Sequence, residues 1–197
     1  MKTTLLKFCV VVFSLSFIGL GCSKEETIYE LQIDDQSAVL QKEVKGLEFS
    51  FSLLNEQGEA ATVFKEGENF TFQLLIKNKT TASLPFYDYG FYTSDDFLVV
   101  RSATQNYGQP MKFLSVSTTK EMRWIIPDGV AGFSVPWHEE RSEFQQMHGY
   151  FEGLHQPYLP KGKYYTRFTY NFTFGYPGKD PQIETGKMTF LINFEIK

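Results

Sequence analysis

Apolar and polar side chains alternate with a period of two along much of this chain. Leu47, Phe49, Phe51 and Leu53 are separated by Glu48, Ser50 and Ser52, a spacing that puts the apolar set on one face of an extended strand. Asn55-Glu56-Gln57-Gly58 then supplies turn residues. Ala61 to Phe64 reads as a short strand, followed by a turn at Lys65 to Asn69 and a long strand with Phe70, Phe72, Leu74 and Ile76 on one side. Asn78 to Ser83 breaks that run.

Less regular strands are predicted over Leu84 to Tyr92, Phe97 to Arg101, Met111 to Val116, Met122 to Ile126 and Ala131 to Val135, with Trp124 placed in the core. Asp-, Gly- and Pro-containing breakers separate them. Pro136 to Lys163 is the one long stretch without clear alternation, and Glu139 to His148 within it is a candidate short helix. Two final strands are the clearest: Tyr164, Thr166, Phe168, Tyr170, Phe172 and Phe174 share a face, and Met188, Phe190, Ile192, Phe194 and Ile196 follow after a loop over Gly175 to Gly186. Roughly eight or nine short strands with turns every 8 to 12 residues predict an all-β domain, two stacked antiparallel sheets forming an immunoglobulin-like sandwich.

Two segments carry a resemblance to known domains. Phe49 to Asn78, with Leu54-Asn55-Glu56-Gln57-Gly58, Phe64-Lys65-Glu66-Gly67-Glu68-Asn69 and a strand ending in Asn78, resembles the opening of immunoglobulin-like domains of the BsuPI proteinase-inhibitor type. Leu159-Pro160-Lys161-Gly162-Lys163-Tyr164-Tyr165 is similar to the corner of such folds at which a Tyr hydroxyl caps the turn. The resemblance spans about half of residues 22–197. It implies the sandwich, and through its family name a protease inhibitor, with the Pro-bracketed loop Gln156-Pro157-Tyr158-Leu159-Pro160 as the segment to be presented.

The chain opens differently. Lys2 and Lys7 precede an apolar run from Phe8 to Leu20, which ends in Gly19-Leu20-Gly21. This is the layout of an export signal, too short to cross a bilayer, which takes about 20 apolar residues. With the next residue, Gly19-Leu20-Gly21-Cys22 resembles the lipobox of bacterial lipoproteins, although Gly19 stands where that motif usually has Leu. The resemblance implies cleavage before Cys22 and a lipid on its sulfur. Ser23-Lys24-Glu25-Glu26 looks like the tag that sends lipoproteins to the outer surface of some Gram-negative bacteria; a plain solvated linker would leave the protein on the periplasmic face. The expected organisation is a signal over residues 1–21, a lipidated tether over 22–45 that includes at most one short strand, and a sandwich over 46–197.

Composition narrows the partners. Without Lys2 and Lys7 the chain carries 17 basic against 23 acidic side chains, a net charge of −6, which gives no electrostatic basis for binding nucleic acid. On the lipobox resemblance Cys9 would leave with the signal and Cys22 would be acylated, so no thiol would remain for a disulfide, a metal or a nucleophile. The expected partners are a membrane, through the lipid, and a glycan or protein ligand; the oligomeric state is left open.

Candidate chemistry concentrates in the irregular segment. His138, His148 and His155 lie near Glu139, Glu140, Glu143 and Glu152, a set that offers metal-ligand types but no metal-ligand spacing. No metal and no cofactor is therefore predicted. Ser134, in Gly132-Phe133-Ser134-Val135-Pro136, lacks the second Gly of a nucleophile elbow, and no catalytic residue is assigned. Trp137, His138, Tyr150, His155 and Tyr158 are the candidate ligand-binding residues, because loop rings on a rigid scaffold stack on sugars or anchor partners; the plain alternative is that these rings plug one end of the sandwich. A binding module is the leading expectation, with a protease inhibitor, or a hydrolase or metal carrier, as alternatives.

Overall fold

The computed structural model describes residues 28–32, 38–87, 96–113, 122–138, 151–154, 156–176, 178–179 and 181–197. Among these the chain is all-β, with fourteen strands. They run β1 (Ile28–Gln32), β2 (Val39–Val44), β3 (Leu47–Leu54), β4 (Val63–Phe64), β5 (Thr71–Asn78), β6 (Leu84–Tyr87) and β7 (Val100–Arg101), then β8 (Asn106–Gly108), β9 (Met111–Phe113), β10 (Met122–Ile125), β11 (Val130–Pro136), β12 (Phe151–Gly153), β13 (Gly162–Phe174) and β14 (Ile183–Ile196).

Two sheets hold most of them. The smaller has the order β11-β5-β3-β2 and is antiparallel throughout. The larger follows β1-β14-β13-β6-β10, with β4 on β14 and β7 on β13. The expected antiparallel arrangement fails at one edge: β1 and β4 both run parallel to β14. A third, two-stranded sheet joins β12 to β9.

Alternation works as read in the long strands. Phe49 and Phe51 of β3, Phe72 and Leu74 of β5, Phe168 and Phe172 of β13 and Phe190 of β14 are all buried in one apolar cluster. Rings from the two sheets meet in it: Phe49 lies 4.9 Å from Phe172, and Phe51 packs edge-on against Phe168 at 5.1 Å. Such pairs contribute about 0.5–1.5 kcal/mol each beyond the area they bury.

Several elements depart from expectation. The predicted tether supplies two strands, β1 on the edge of the larger sheet and β2 on the edge of the smaller. The predicted loop from Gly175 to Gly186 is shorter, because β14 already starts at Ile183 and absorbs Thr185 and Gly186 in a bulge opposite Phe172. Gly186 takes φ +78° there, a conformation costly for any residue with a Cβ. The buried Thr185 hydroxyl accepts the Phe172 N–H at 3.0 Å and donates to Gly186 O at 2.8 Å, which repairs the ladder. Trp124 is 51% exposed and not in the core: β10 is the last strand of its sheet, and the neighbouring Ile125 takes the inward direction. Of the stretch from Phe97 to Arg101 only Val100 and Arg101 are strand, and within Pro136 to Lys163 a short strand appears at β12. The candidate helix over residues 139–148 lies outside the described residues.

Candidate functional site

The end of the smaller sheet at which β3 and β11 finish and β5 begins is built by asparagines. Asn55, directly after β3, accepts the N–H groups of Gln57 and Glu59 on its Oδ1 at 3.0 and 2.9 Å, closing the β3–β4 loop in the manner expected of an Asx turn. Asn69, two residues before the first residue of β5, continues the β5–β11 ladder with its side chain. Its Oδ1 accepts the His138 N–H at 3.0 Å, and its Nδ2 donates to His138 O at 2.6 Å. The Asn69 N–H in turn donates to Glu56 Oε1 at 3.1 Å.

This frame fixes residues 137 and 138. Trp137 turns inward, 2% exposed, stacks on Phe70 at 5.8 Å and donates from Nε1 to Pro157 O at 2.9 Å. Its ring therefore has no face open to a ligand, and it serves as the plug of this end of the domain. His138 is partly exposed, with Nδ1 2.7 Å from Gln156 O. A carbonyl only accepts, so Nδ1 donates and the neutral ring keeps its lone pair on Nε2.

Tyr158 stacks on His138, with ring centroids 4.4 Å apart and planes 30° from parallel, and is 45% exposed. Its segment is held on both sides. Gln156 and Pro157 give their carbonyls to His138 and Trp137, Gln156 Nε2 donates to Gln109 O at 2.8 Å, Leu159 is buried, and Pro160 O accepts the Tyr164 hydroxyl at 2.6 Å. That last bond is the Tyr-capped corner expected from the sequence.

These groups enclose a cleft of about 740 Å³, lined among others by Asn55, Glu56, Asn69, Ser134, His138 and Tyr158. One aromatic ring with neutral hydrogen-bonding groups and a single carboxylate suits a ligand that is flat on one face and rich in hydroxyls on its edges. Nucleophilic catalysis finds no geometry here. Ser134 and His138 both line the cleft, but no hydrogen bond joins them, so they do not form a nucleophile–base pair. Among the described residues no three His, Cys, Asp or Glu side chains gather as metal ligands.

Of the sequence-derived candidates, His138 and Tyr158 come together at the cleft and Trp137 lies beneath it. Cys22, Tyr150 and His155 lie outside the described residues. Asn55 and Asn69 were legible only as turn formers; their second signal was position, each beginning or ending a strongly alternating strand. A scan against protein-family models, a search of curated proteins and a search of solved structures each found no match.

Proposed function

We propose that this chain is a lipid-tethered, non-enzymatic binding module of the bacterial cell envelope, with an immunoglobulin-like sandwich that takes a glycan in the cleft at His138 and Tyr158. The observation that carries the reading is the half-exposed Tyr158 ring, stacked on His138 at 4.4 Å, in a cleft also lined by the Ser134 and Thr71 hydroxyls and the Glu56 carboxylate, groups able to meet sugar hydroxyls. The ring is preorganised by its pinned segment, which lowers the entropic cost of stacking a ligand on it. Lipidation at Cys22, and with it the extracytoplasmic address, rests on the signal and on Gly19-Leu20-Gly21-Cys22.

The protease-inhibitor reading draws on the rigid Gln156–Pro160 segment. That segment spends the carbonyls of Gln156, Pro157 and Pro160 on internal bonds and buries Leu159. A protease cleft would have to be filled by a loop whose backbone is already committed, so glycan binding is the better-supported use of Tyr158.

The test is a glycan array probed with the full chain in detergent. The wild type is expected to retain a defined set of envelope glycans, and Tyr158→Ala is expected to lose about tenfold or more in affinity, since a stacked aromatic at a binding hot spot is worth about 1.4 kcal/mol or more. An identical binding profile for wild type and Tyr158→Ala would remove the site, and slowing of a protease panel at micromolar protein would restore the inhibitor.

A further inference from the structure

Of the seven large apolar side chains exposed among the described residues, four gather at one end of the molecule. Trp124, Ile126, Val130 and Tyr176 are 51%, 61%, 57% and 36% exposed, and all four sit around the β10–β11 and β13–β14 turns, at the end opposite the cleft. Trp124 lies in β10 and Ile126 directly follows that strand. Trp124 and Tyr176 meet edge to face at 5.9 Å, and Lys179 Nζ lies 5.5 Å from the centre of the Tyr176 ring. Trp, Tyr, an aliphatic side chain and a cation on neighbouring turns form the set that is stable at a bilayer's headgroup layer, where rings stay half apolar and half wet.

The start of the described chain lies at that same end. β1 enters with Ile28 paired to Lys187, near the first residues of β14, and the Lys45 ammonium of the β2–β3 turn donates to Glu184 O there at 2.6 Å. Ile28 is six residues beyond Cys22, a reach of at most about 20–22 Å when fully extended. From Lys187 to Ile196, at the cleft end, β14 runs about 30 Å. The Cys22 position is therefore within range of the Trp124–Tyr176 end and short of the cleft.

We infer that the Trp124, Ile126, Val130 and Tyr176 end docks on the phospholipid surface that receives the anchor, so that the cleft points away from the membrane. This inference rests on the lipidation of Cys22 proposed above. Docking adds a second membrane contact to the acyl chains and fixes the orientation of the domain.

The full lipidated chain, purified in detergent and reconstituted into vesicles of phosphatidylethanolamine and phosphatidylglycerol, tests it. Lipids brominated near the headgroup should lower the tryptophan emission of the wild type relative to unbrominated lipid. Trp124→Phe, a change at an exposed position that leaves the buried Trp137 as the reporter, should lose that quenching, and Ile126→Asp/Tyr176→Asp should weaken it while the acyl mass on Cys22 is retained. An acylated protein whose emission ignores brominated lipid and is quenched by aqueous iodide would overturn the docking alone. Shielding from iodide without quenching by lipid would assign the patch to a second copy of the chain and overturn it equally. A bare Cys22 thiol in the mass of the native protein would overturn both the docking and the anchor beneath it.

Discussion

Asn78 closes its end of the domain almost alone. Fully buried, it donates from Nδ2 to Ala82 O at 2.7 Å and to Ile125 O at 2.8 Å, and its Oδ1 accepts the Thr80 N–H and hydroxyl. Replacing it with Ala removes the amide partner of Ile125 O and of the Thr80 N–H and leaves Ala82 O only the Thr80 hydroxyl at 3.2 Å, so Asn78→Ala is predicted to lower the unfolding free energy by about 3 kcal/mol in a urea titration; a change within about 0.5 kcal/mol would contradict this account of the residue. Tyr164 makes a prediction in pH. Burial first, and then the neighbouring Tyr107, push its hydroxyl from 10.0 up to about 12. The protonated form is thus favoured in the fold, and stability present below pH 10 falls as pH rises through about 12. Tyr164→Phe should flatten that alkaline loss, leaving the part that belongs to Tyr170, which burial also raises, while costing about 1 kcal/mol at neutral pH through the lost bond to Pro160 O. The Tyr164 corner could be anticipated from its sequence neighbours. The role of Asn78 could not, because a strand-ending Asn looks the same whether it is solvated or buried.

At the scale of elements, legibility followed the strength of the alternation. β3, β5 and β13 matched their patterns because each buries one whole face, and a slip of one residue would turn every Phe outward. From sequence β14 looks short at its start because Thr185-Gly186 resembles a loop end; the bulge that keeps the strand going depends on the Thr185 hydroxyl, which no periodicity can register. β1 and β2 look mainly like tether because edge strands need only one partner and tolerate polar sequences such as Gln41-Lys42-Glu43. Trp124 looks like a core residue because Met122, Ile125 and Ile126 surround it with apolar neighbours, but the sheet runs out at β10. The contrast is measurable. Phe172→Ala, which removes a ring touching Phe49 of the facing sheet and Phe190 on its own, should cost about 4 kcal/mol of stability. Trp124→Ala should stay within about 0.5 kcal/mol of the wild type in the same denaturation series. At the cleft, His138 and Tyr158 could be named from sequence because exposed loop rings are few. The inward turn of Trp137 is decided by two distant partners, Phe70 and the Pro157 carbonyl, which sequence order keeps 67 and 20 positions away.

The whole molecule has two ends with different surfaces. One gathers the chain entry at Ile28, the Trp124–Tyr176 pair and three turns; the other gathers the asparagine frame, the pinned Gln156–Pro160 segment and the cleft. β13, thirteen residues long and spanning about 40 Å, connects them. A module held by lipid at the first end and open at the second would present its cleft to glycans approaching from outside the membrane. Backbone amide shifts of the isotopically labelled full chain in detergent micelles, titrated with the glycan that the array selects, test this most directly. The account predicts saturable shifts confined to residues 55–58, 69–71, 134–138 and 156–160; shifts that fail to saturate, or that centre on residues 122–130 and 175–179, would contradict it.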